Sequence, residues 1–546
     1  IMKNSNWCGF SFQGLLATIF LCIPGFLQGY LLLMTWSQSN DENYVSSISD
    51  VGDIKYFEDA FRFLFLGGEV MGALFSFIMA DRMGRRSTLV VTMVSMTMSL
   101  IFSLLAFKSS TQLMTRSIVG LCTGVLIALI PNYLSEFSIA DRRGRNMSIF
   151  SLFILLGSGT SSIIYAIENT SNYVTGYLTT LGAIIISFII LGGIIIIPES
   201  PRWLSVHATR TDVLRALRSI RIPQEYKVEF TRMNTITSSV LHGALPDTWI
   251  GIINDLSILY RILLMCIMMM LSQCTGIHII TSYGILLTDR LAVHDHTLIL
   301  ILAEIAGVFG YLVGYHIIDK IGRRFLLVFG SLAIGLSWLG AVVCIEIGGL
   351  EQGLSDINTV SLRMSFLFGG FLCLFSFCYS ASIGIVLWTL PPEIFPIQCR
   401  AKAMSIIYSF YCLCGMCYSY ALVTWFHKNF SIITGIWSFT AASVLLSVFA
   451  FFLIPETTGL PLETMGSLFA NEWSENSSSV LPWWYSYEKM HSRTRRDIIP
   501  NQDDPVEEQT DTGTELHNNG EEMLVDGQTN QTGTSNEGTP LLSACV

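Results

Sequence analysis

Three kinds of charged cluster carry the most specific chemistry in this sequence, and each occurs twice. Asp81-Arg-Met-Gly-Arg-Arg86 recurs as Asp319-Lys-Ile-Gly-Arg-Arg324. Glu136 precedes Arg143 by seven positions, as Glu393 precedes Arg400. Pro198-Glu199-Ser200 recurs as Pro455-Glu456-Thr457. The pairs are separated by 238, 257 and 257 residues in matching order, which marks an internal duplication. Arginines and carboxylates at such spacing form ion pairs that can close and dissolve. The spacing lets Arg85, Arg86 and Arg143 meet Glu136 and Glu199, and lets Arg323, Arg324 and Arg400 meet Glu393 and Glu456, with Asp81 and Asp319 opening each cluster. A topological preference for basic residues on one side of a membrane does not explain the acids, which contribute little to topology. An exposed pair contributes about 0–1 kcal/mol, so a latch made of these groups must be partly buried.

The elements that position these clusters follow from composition. Hydrophobic residues make up 51% of the 546, charged residues only 13%, and mean hydropathy is +0.54; ordinary soluble domains carry about 25% charged residues. Such a chain is solvated by lipid. Its net charge of −10 belongs to the end of the chain: eleven acids and no Lys or Arg follow Arg496, and without those acids the remainder carries +1. Most of the 13 cysteines lie in apolar runs, which argues against a disulfide framework. Apolar runs near the ~20 residues that cross a bilayer fall at 10–34, 60–80, 87–107, 113–137, 146–166, 177–197, 259–287, 297–318, 325–347, 364–389, 403–427 and 433–454. The first is too long for a signal peptide and reads as a retained span. With both termini cytoplasmic, 24 Lys and Arg lie inside and 6 outside, so the positive-inside rule sets the orientation. The sequons at Asn169 and Asn429 then face the glycosylation side. The expected organisation is an N-terminal six-helix bundle at 1–197, a basic cytoplasmic helical linker at 198–258, a C-terminal six-helix bundle at 259–454 and a mostly disordered cytoplasmic tail at 455–546. Within the linker, Val213, Leu214, Leu217 and Ile220 have helical spacing.

Two six-helix halves in parallel duplication resemble the major facilitator architecture, whose solute site lies at the midplane between the halves. The finer motifs resemble the sugar porter family: Arg116, Gly120, Gly124, Pro131, Tyr133, Glu136, Arg143 and Gly144, then Pro198-Glu-Ser-Pro-Arg-Trp-Leu204, Gln273, Gly276, Tyr283, Trp388, Pro392, Glu393, Pro396, Arg400 and Pro455-Glu-Thr-Thr-Gly459. The resemblance implies an all-α membrane protein of twelve transmembrane helices in two pseudo-symmetric bundles. It implies a substrate site that keeps Gln273, Tyr283 and Trp388 and departs from the family pattern at Ser272, His278, Ser282, Ser151 and Tyr411. Gly384-Ile-Val-Leu387 replaces a Gly-Pro-x-Pro hinge, and Gly307 stands for an Asn. The scaffold is kept while several amides that contact sugars are gone. Met268–Met270 and Cys412, Cys414 and Cys417 read as apolar helix surface, so no metal site follows.

Proton-coupled members of that family carry an Asp in the first span, opposite the fourth-span Arg. Here the position is Leu27 while Arg116 remains, which points to facilitated uniport. Glu69 and Glu304 lie at membrane depth, where acids usually mark ion paths or partners of a buried cation, and Glu69 is a candidate replacement counter-ion for Arg116. In the tail, Glu537-Gly-Thr-Pro-Leu541-Leu542 resembles an acidic dileucine sorting signal and Tyr487-Glu-Lys-Met490 a tyrosine-based one, so sorting adaptors are candidate partners and an endosomal or lysosomal membrane rivals the plasma membrane. The expected function is secondary transport of a small polar organic solute, a hexose, other sugar or polyol first, by alternating access. A non-transporting solute receptor on the same scaffold is the alternative, or a carrier of a non-sugar organic solute with proton coupling. Neither enzyme activity, a cofactor nor a nucleic-acid partner is implied; the partners are the lipid bilayer and the solute.

Overall fold

A helix satisfies its own backbone N–H and C=O groups, which is the condition for a segment surrounded by hydrocarbon. The computed structural model of the protein describes residues 11–39, 42–48, 54–106, 108–170, 176–221, 226, 229–231, 249–280, 284, 287, 296–348, 359–427 and 431–459. Among them the regular elements are helical. They are α1 Phe12–Ser39, α2 Glu42–Ser47, α3 Ile54–Met83, α4 Arg85–Leu105, α5 Ser109–Phe137, α6 Arg143–Thr170, α7 Tyr177–Gly193, α8 Pro201–His207, α9 Arg210–Ile220, α10 Trp249–Asn254, α11 Leu256–Gln273, α12 His296–Ile321, α13 Arg323–Gly348, α14 Thr359–Ala381, α15 Ile383–Ile394, α16 Ile397–His427 and α17 Ile432–Leu453. The chain divides into residues 1–483 and 484–546; the second unit, with both sorting motifs, lies outside the described residues.

Eleven described segments are long and apolar enough to cross a membrane, with α14 and α15 forming one of them across a break at Ser382. The sixth expected span differs. α7 has 17 residues, about 26 Å at 1.5 Å per residue, which is short of the ~30 Å hydrocarbon thickness. The sequence reading extends it to residue 197, but after Gly193 the apolar Ile194–Ile197 continues as turns, closed by Ile196 N–H to Gly193 O at 3.0 Å. The first span also differs, running to Ser39 instead of 34. Its last turn holds Gln38, whose Nε2 donates to the Gly176 carbonyl at 2.7 Å, so polar residues continue the helix because α7 satisfies them.

Small residues set the packing. α3 and α5 run parallel with Gly68, Gly72, Gly120 and Gly124 facing each other, and a Cβ on Gly120 or Gly124 would collide with the Phe65 or Glu69 carbonyl. This four-residue spacing of glycine is a known means of bringing membrane helices close, where dispersion replaces the hydrophobic drive. Among the first six spans α3 packs on α5 and α1 on α6; among the last six α12 packs on α14 and α13 on α17. The two groups meet along two seams, α3 against α16 and α6 against α12. Of the linker, α9 buries Val213, Ala216, Leu217 and Ile220; Ala216 takes the inward position expected for Leu214. Ser11 ties the start of α1 to this helix through N–H to Ile220 O at 2.9 Å.

Candidate functional site

The charged end of the bundle is built from the duplicated motifs. Gly84 and Gly322 adopt φ of 89° and 107°, the left-handed region where a Cβ is penalised. This turn lets α4 and α13 start at once, aiming their first N–H groups at a carboxylate from a distant segment. Glu199 accepts from the N–H of Arg85 at 2.8 Å and of Arg86 at 3.1 Å. Glu456 accepts from the N–H of Arg323 at 2.9 Å and of Arg324 at 3.1 Å. Anions at helix N-termini are favoured by the unpaired N–H groups and the helix dipole. Burial pushes the Glu199 carboxyl above its ordinary range, while the backbone N–H groups of Ser200, Arg86 and Arg85 oppose that shift. The two acids thus cap the helices through backbone, rather than pairing with the guanidinium groups of Arg86 and Arg324, which turn to the Ile195 and Phe451 carbonyls.

The first arginine of each motif's closing Arg-Arg pair, Arg85 or Arg323, points inward. Arg85 meets Glu136 at 3.1 Å and Asp81 at 3.5 Å; Arg323 meets Glu393 at 3.0 Å and Asp319 at 3.0 Å. The Ser200 hydroxyl donates to Glu136 at 2.6 Å and Thr457 donates to Glu393 at 2.5 Å. These hydroxyls occupy matching positions of the duplication, a signal the sequence reading did not use.

Arg143 and Arg400 correct the sequence reading. Both were expected to pair within their own half, and both cross over. Arg143 reaches Glu393 at 3.4 Å, and Arg400 lies 3.9 Å from Glu136; the second is too long for a hydrogen bond and acts through charge. All four side chains are fully buried. Asp319 adds a third link, accepting from the N–H of Gly144 and of Arg145 at 3.1 Å each, at the start of α6. Each half therefore holds an acid that is shared between its own arginine and the other half's.

Midway along the helices, polar and aromatic groups converge. α11 ends at Gln273, and Gly276 at φ 93° turns the chain while Trp338 donates to the Thr275 carbonyl at 2.9 Å. The break leaves Gln273 free of a helical row. Its Oε1 contacts His278 Nε2 and its Nε2 donates to the Tyr411 carbonyl at 3.5 Å. Trp388 on α15 stacks on Tyr408 at 5.6 Å and 17°, and meets Tyr411 and Phe150 edge-on at 5.8 and 5.6 Å. So Gln273, His278, Tyr411 and Trp388 come together, joined by Tyr408 and Phe150, which no charge or spacing signal singles out. Ser272 and Ser151 are buried but donate to Met269 and Met147 of their own helices. Ser282 and Tyr283 lie outside the described residues.

The three intramembrane charges do not form the expected pair. Arg116 lies over the Phe61 ring at 4.6 Å and donates to Gln38 Oε1 at 2.5 Å. Glu69 is level with Gly124, eight residues or about 12 Å further along α5. Glu69 is therefore not the counter-ion of Arg116. It lies beside Thr123 and faces Tyr411 and Cys412 across the α3–α16 seam. Glu304 on α12 has a buried Oε2 without a hydrogen-bond partner.

Comparison with known proteins bears on this arrangement. Residues 16–469 match the family model described as "Sugar (and other) transporter". A low-affinity glucose transporter of Saccharomyces cerevisiae is 26% identical over 463 residues, covering 81% of this chain and 76% of that protein. A high glucose sensor of the same organism is 26% identical over 488 residues, covering 84% of this chain and 61% of that protein. Among solved structures, the proton:xylose symporter XylE bound to 6-bromo-6-deoxy-D-glucose superposes with a TM-score of 0.72 at 18% identity, covering 83% of this chain and 98% of that one.

Proposed function

From the membership of this chain in the sugar (and other) transporter family, which makes it a multi-pass membrane protein of sugar transport, we propose that it moves a hexose, related sugar or polyol through the Gln273–Trp388 site by alternating access, as a facilitated uniporter. The observation that carries the mechanism is the crossover of Arg143 to Glu393 and of Arg400 to Glu136. Pairs within one half travel with it, whereas pairs between halves must break when the halves separate. In this reading the structure is the state closed at the charged end, and the bias of Lys and Arg supports a cytoplasmic location for that end and for both termini. Solute enters from the opposite side, meets the amide of Gln273 and the face of Trp388, and leaves once the crossed pairs dissolve. A neutral hydroxyl-rich solute is recognised by such amide and aromatic groups without a matching charge. No bond is made or broken in this cycle, so the protein works without enzymatic chemistry.

Glu537, Leu541, Leu542 and Tyr487 offer sorting adaptors a linear signal, and a plasma-membrane or endosomal–lysosomal residence follows from it. The test is uptake of radiolabelled glucose, xylose and sorbitol into liposomes containing the purified chain, with Gln273→Ala beside it. Saturable filling by at least one solute, lost in Gln273→Ala, is the expected result. Binding without filling supports the receptor reading favoured by the sensor relative, and the transport proposal then fails.

A further inference from the structure

Glu69 and Glu304 are not used by the charged end, and both sit in the seams where the two groups of helices meet. α3 and α16 run antiparallel, with Phe63 and Tyr420 in contact at 5.7 Å between ring centroids. Six residues further along α3, about 9 Å, Glu69 comes level with the part of α16 that carries Tyr411 and Cys412. On the second seam, Glu304, Gly307 and Tyr311 share a face of α12 by helical spacing. A Cβ on Gly307 would stand 2.9 Å from the Ser376 hydroxyl of α14 and 3.0 Å from Leu155 of α6. Tyr311 directs its hydroxyl at Gly384, one turn before Trp388. The two carboxylates therefore flank the aromatic wall of the central site, one on each seam.

The groups facing them carry no positive charge. Glu69 faces Thr123 of α5 and Tyr411 and Cys412 of α16; among the described residues, α1 and α4, which also pack on α3, bring no charged group to it. Glu304 faces Tyr311 on its own helix, and the basic residues of α6, α13 and α14 (Arg143, Arg145, Arg323, Arg324 and Arg363) lie at the ends of those helices, away from it. Glu304 Oε2 is sealed from solvent without a hydrogen bond. Carboxylates at membrane depth are costly unless a cation or proton accompanies them. Meanwhile the faces of Trp388, Tyr408 and Tyr411 attract an ammonium through the ring quadrupole, and Ser272 and Ser151 spend their hydroxyl protons on their own helices. Acids and aromatic faces thus border the site, and of the hydroxyls there Tyr408 keeps its buried OH without a hydrogen-bond partner, open to a solute hydroxyl.

We propose that the central site takes a polyhydroxylated solute bearing a protonated amine, its positive charge balanced by the field of Glu69 and Glu304 from the two seams that flank the Trp388–Tyr411 wall. The inference rests on the transport reading for the location of the site and changes its favoured substrate from a neutral to a cationic polyhydroxylated solute.

The test uses matched probes that differ by an amine: glucosamine against glucose, and N-methylglucamine against sorbitol. Binding to the purified full-length chain is measured by titration calorimetry, and uptake is measured in liposomes. The amine of each pair should bind about tenfold tighter or more, a difference of about 1.4 kcal/mol. Glu69→Gln and Glu304→Gln should each cut the amine-to-neutral ratio, and Glu69→Asp, which keeps the charge, should preserve part of it. Equal binding within each pair overturns the proposal, as does binding of neither amine or a ratio unchanged in both Gln variants. So does binding of a neutral probe with proton uptake that Glu69→Gln abolishes, since the carboxylate then serves a proton. Tight amine binding without vesicle filling leaves the proposal standing and removes the transport reading alone.

Discussion

Replacing Arg143 with Gln should open the charged end, while replacing Arg323 with Gln should not. Both arginines touch the same carboxylate, Glu393, at 3.4 and 3.0 Å, and both are fully buried. They differ in ownership. Arg323 belongs to the same helical group as Glu393 and moves with it; Arg143 belongs to the other group and leaves when the seam opens. Two charges 3.4 Å apart attract by about 5 kcal/mol at an effective dielectric of 20, before desolvation is subtracted. Breaking a buried pair by removing one partner costs about 3–5 kcal/mol, and the lower end applies because Glu393 keeps Arg323. About 3 kcal/mol is a factor of about 100 in the closed-to-open ratio, so a molecule closed 99:1 becomes evenly divided. The assay is a double electron–electron resonance distance between spin labels carried on non-natural amino acids at the exposed positions 82 and 320. Arg143→Gln should add a longer-distance population with little change in melting temperature. Arg323→Gln should lower the melting temperature and leave the distance as it was. Equal opening by the two variants, or none by either, refutes the crossed latch.

Three other outcomes follow from the geometry. Gly84→Ala and Gly322→Ala should each cost about 1–2 kcal/mol from the left-handed backbone, with a further loss because a Cβ at Gly84 stands 2.7 Å from Glu199 Oε2; thermal unfolding in detergent would show it, and an unchanged melting temperature would rule out the capping role of these acids. Trp388→Ala should weaken solute binding by about 0.5–1.5 kcal/mol beyond lost area, and Trp388→Phe should restore part of it, as read from fluorescence titration. Gly124→Leu should prevent the close approach of α3 and α5 and abolish folded, monodisperse protein on size-exclusion chromatography, because the Glu69 carbonyl occupies the space that the side chain needs.

What the sequence determined by itself is the set of local and periodic properties. Apolar length makes the helices, since backbone in lipid has no other way to be satisfied. The duplication shows that Asp81 and Asp319, or Glu136 and Glu393, occupy like positions, and the spacing of Arg85 and Arg323 from their motifs' acids leads to the observed pairs. The resemblance of their flanking motifs put Gln273 and Trp388 in one candidate site, and the structure brings both against Tyr411. The tertiary structure decided who meets whom across the duplication. An internal repeat makes Arg143 and Arg400 equivalent, and it is equally consistent with each one bonding its own half or the other. Only the meeting of the two helical groups turns Arg143 toward Glu393 and Arg400 toward Glu136. The same holds for Glu69 and Arg116, one on each of two helices that pack together, yet about two turns apart in height. Phe150 joins Trp388 from the other half of the duplication for the same reason. Pairing across a seam depends on rotation and register of whole helices, set by glycine contacts such as Gly120 on Phe65, and residue spacing within one helix carries no information about either.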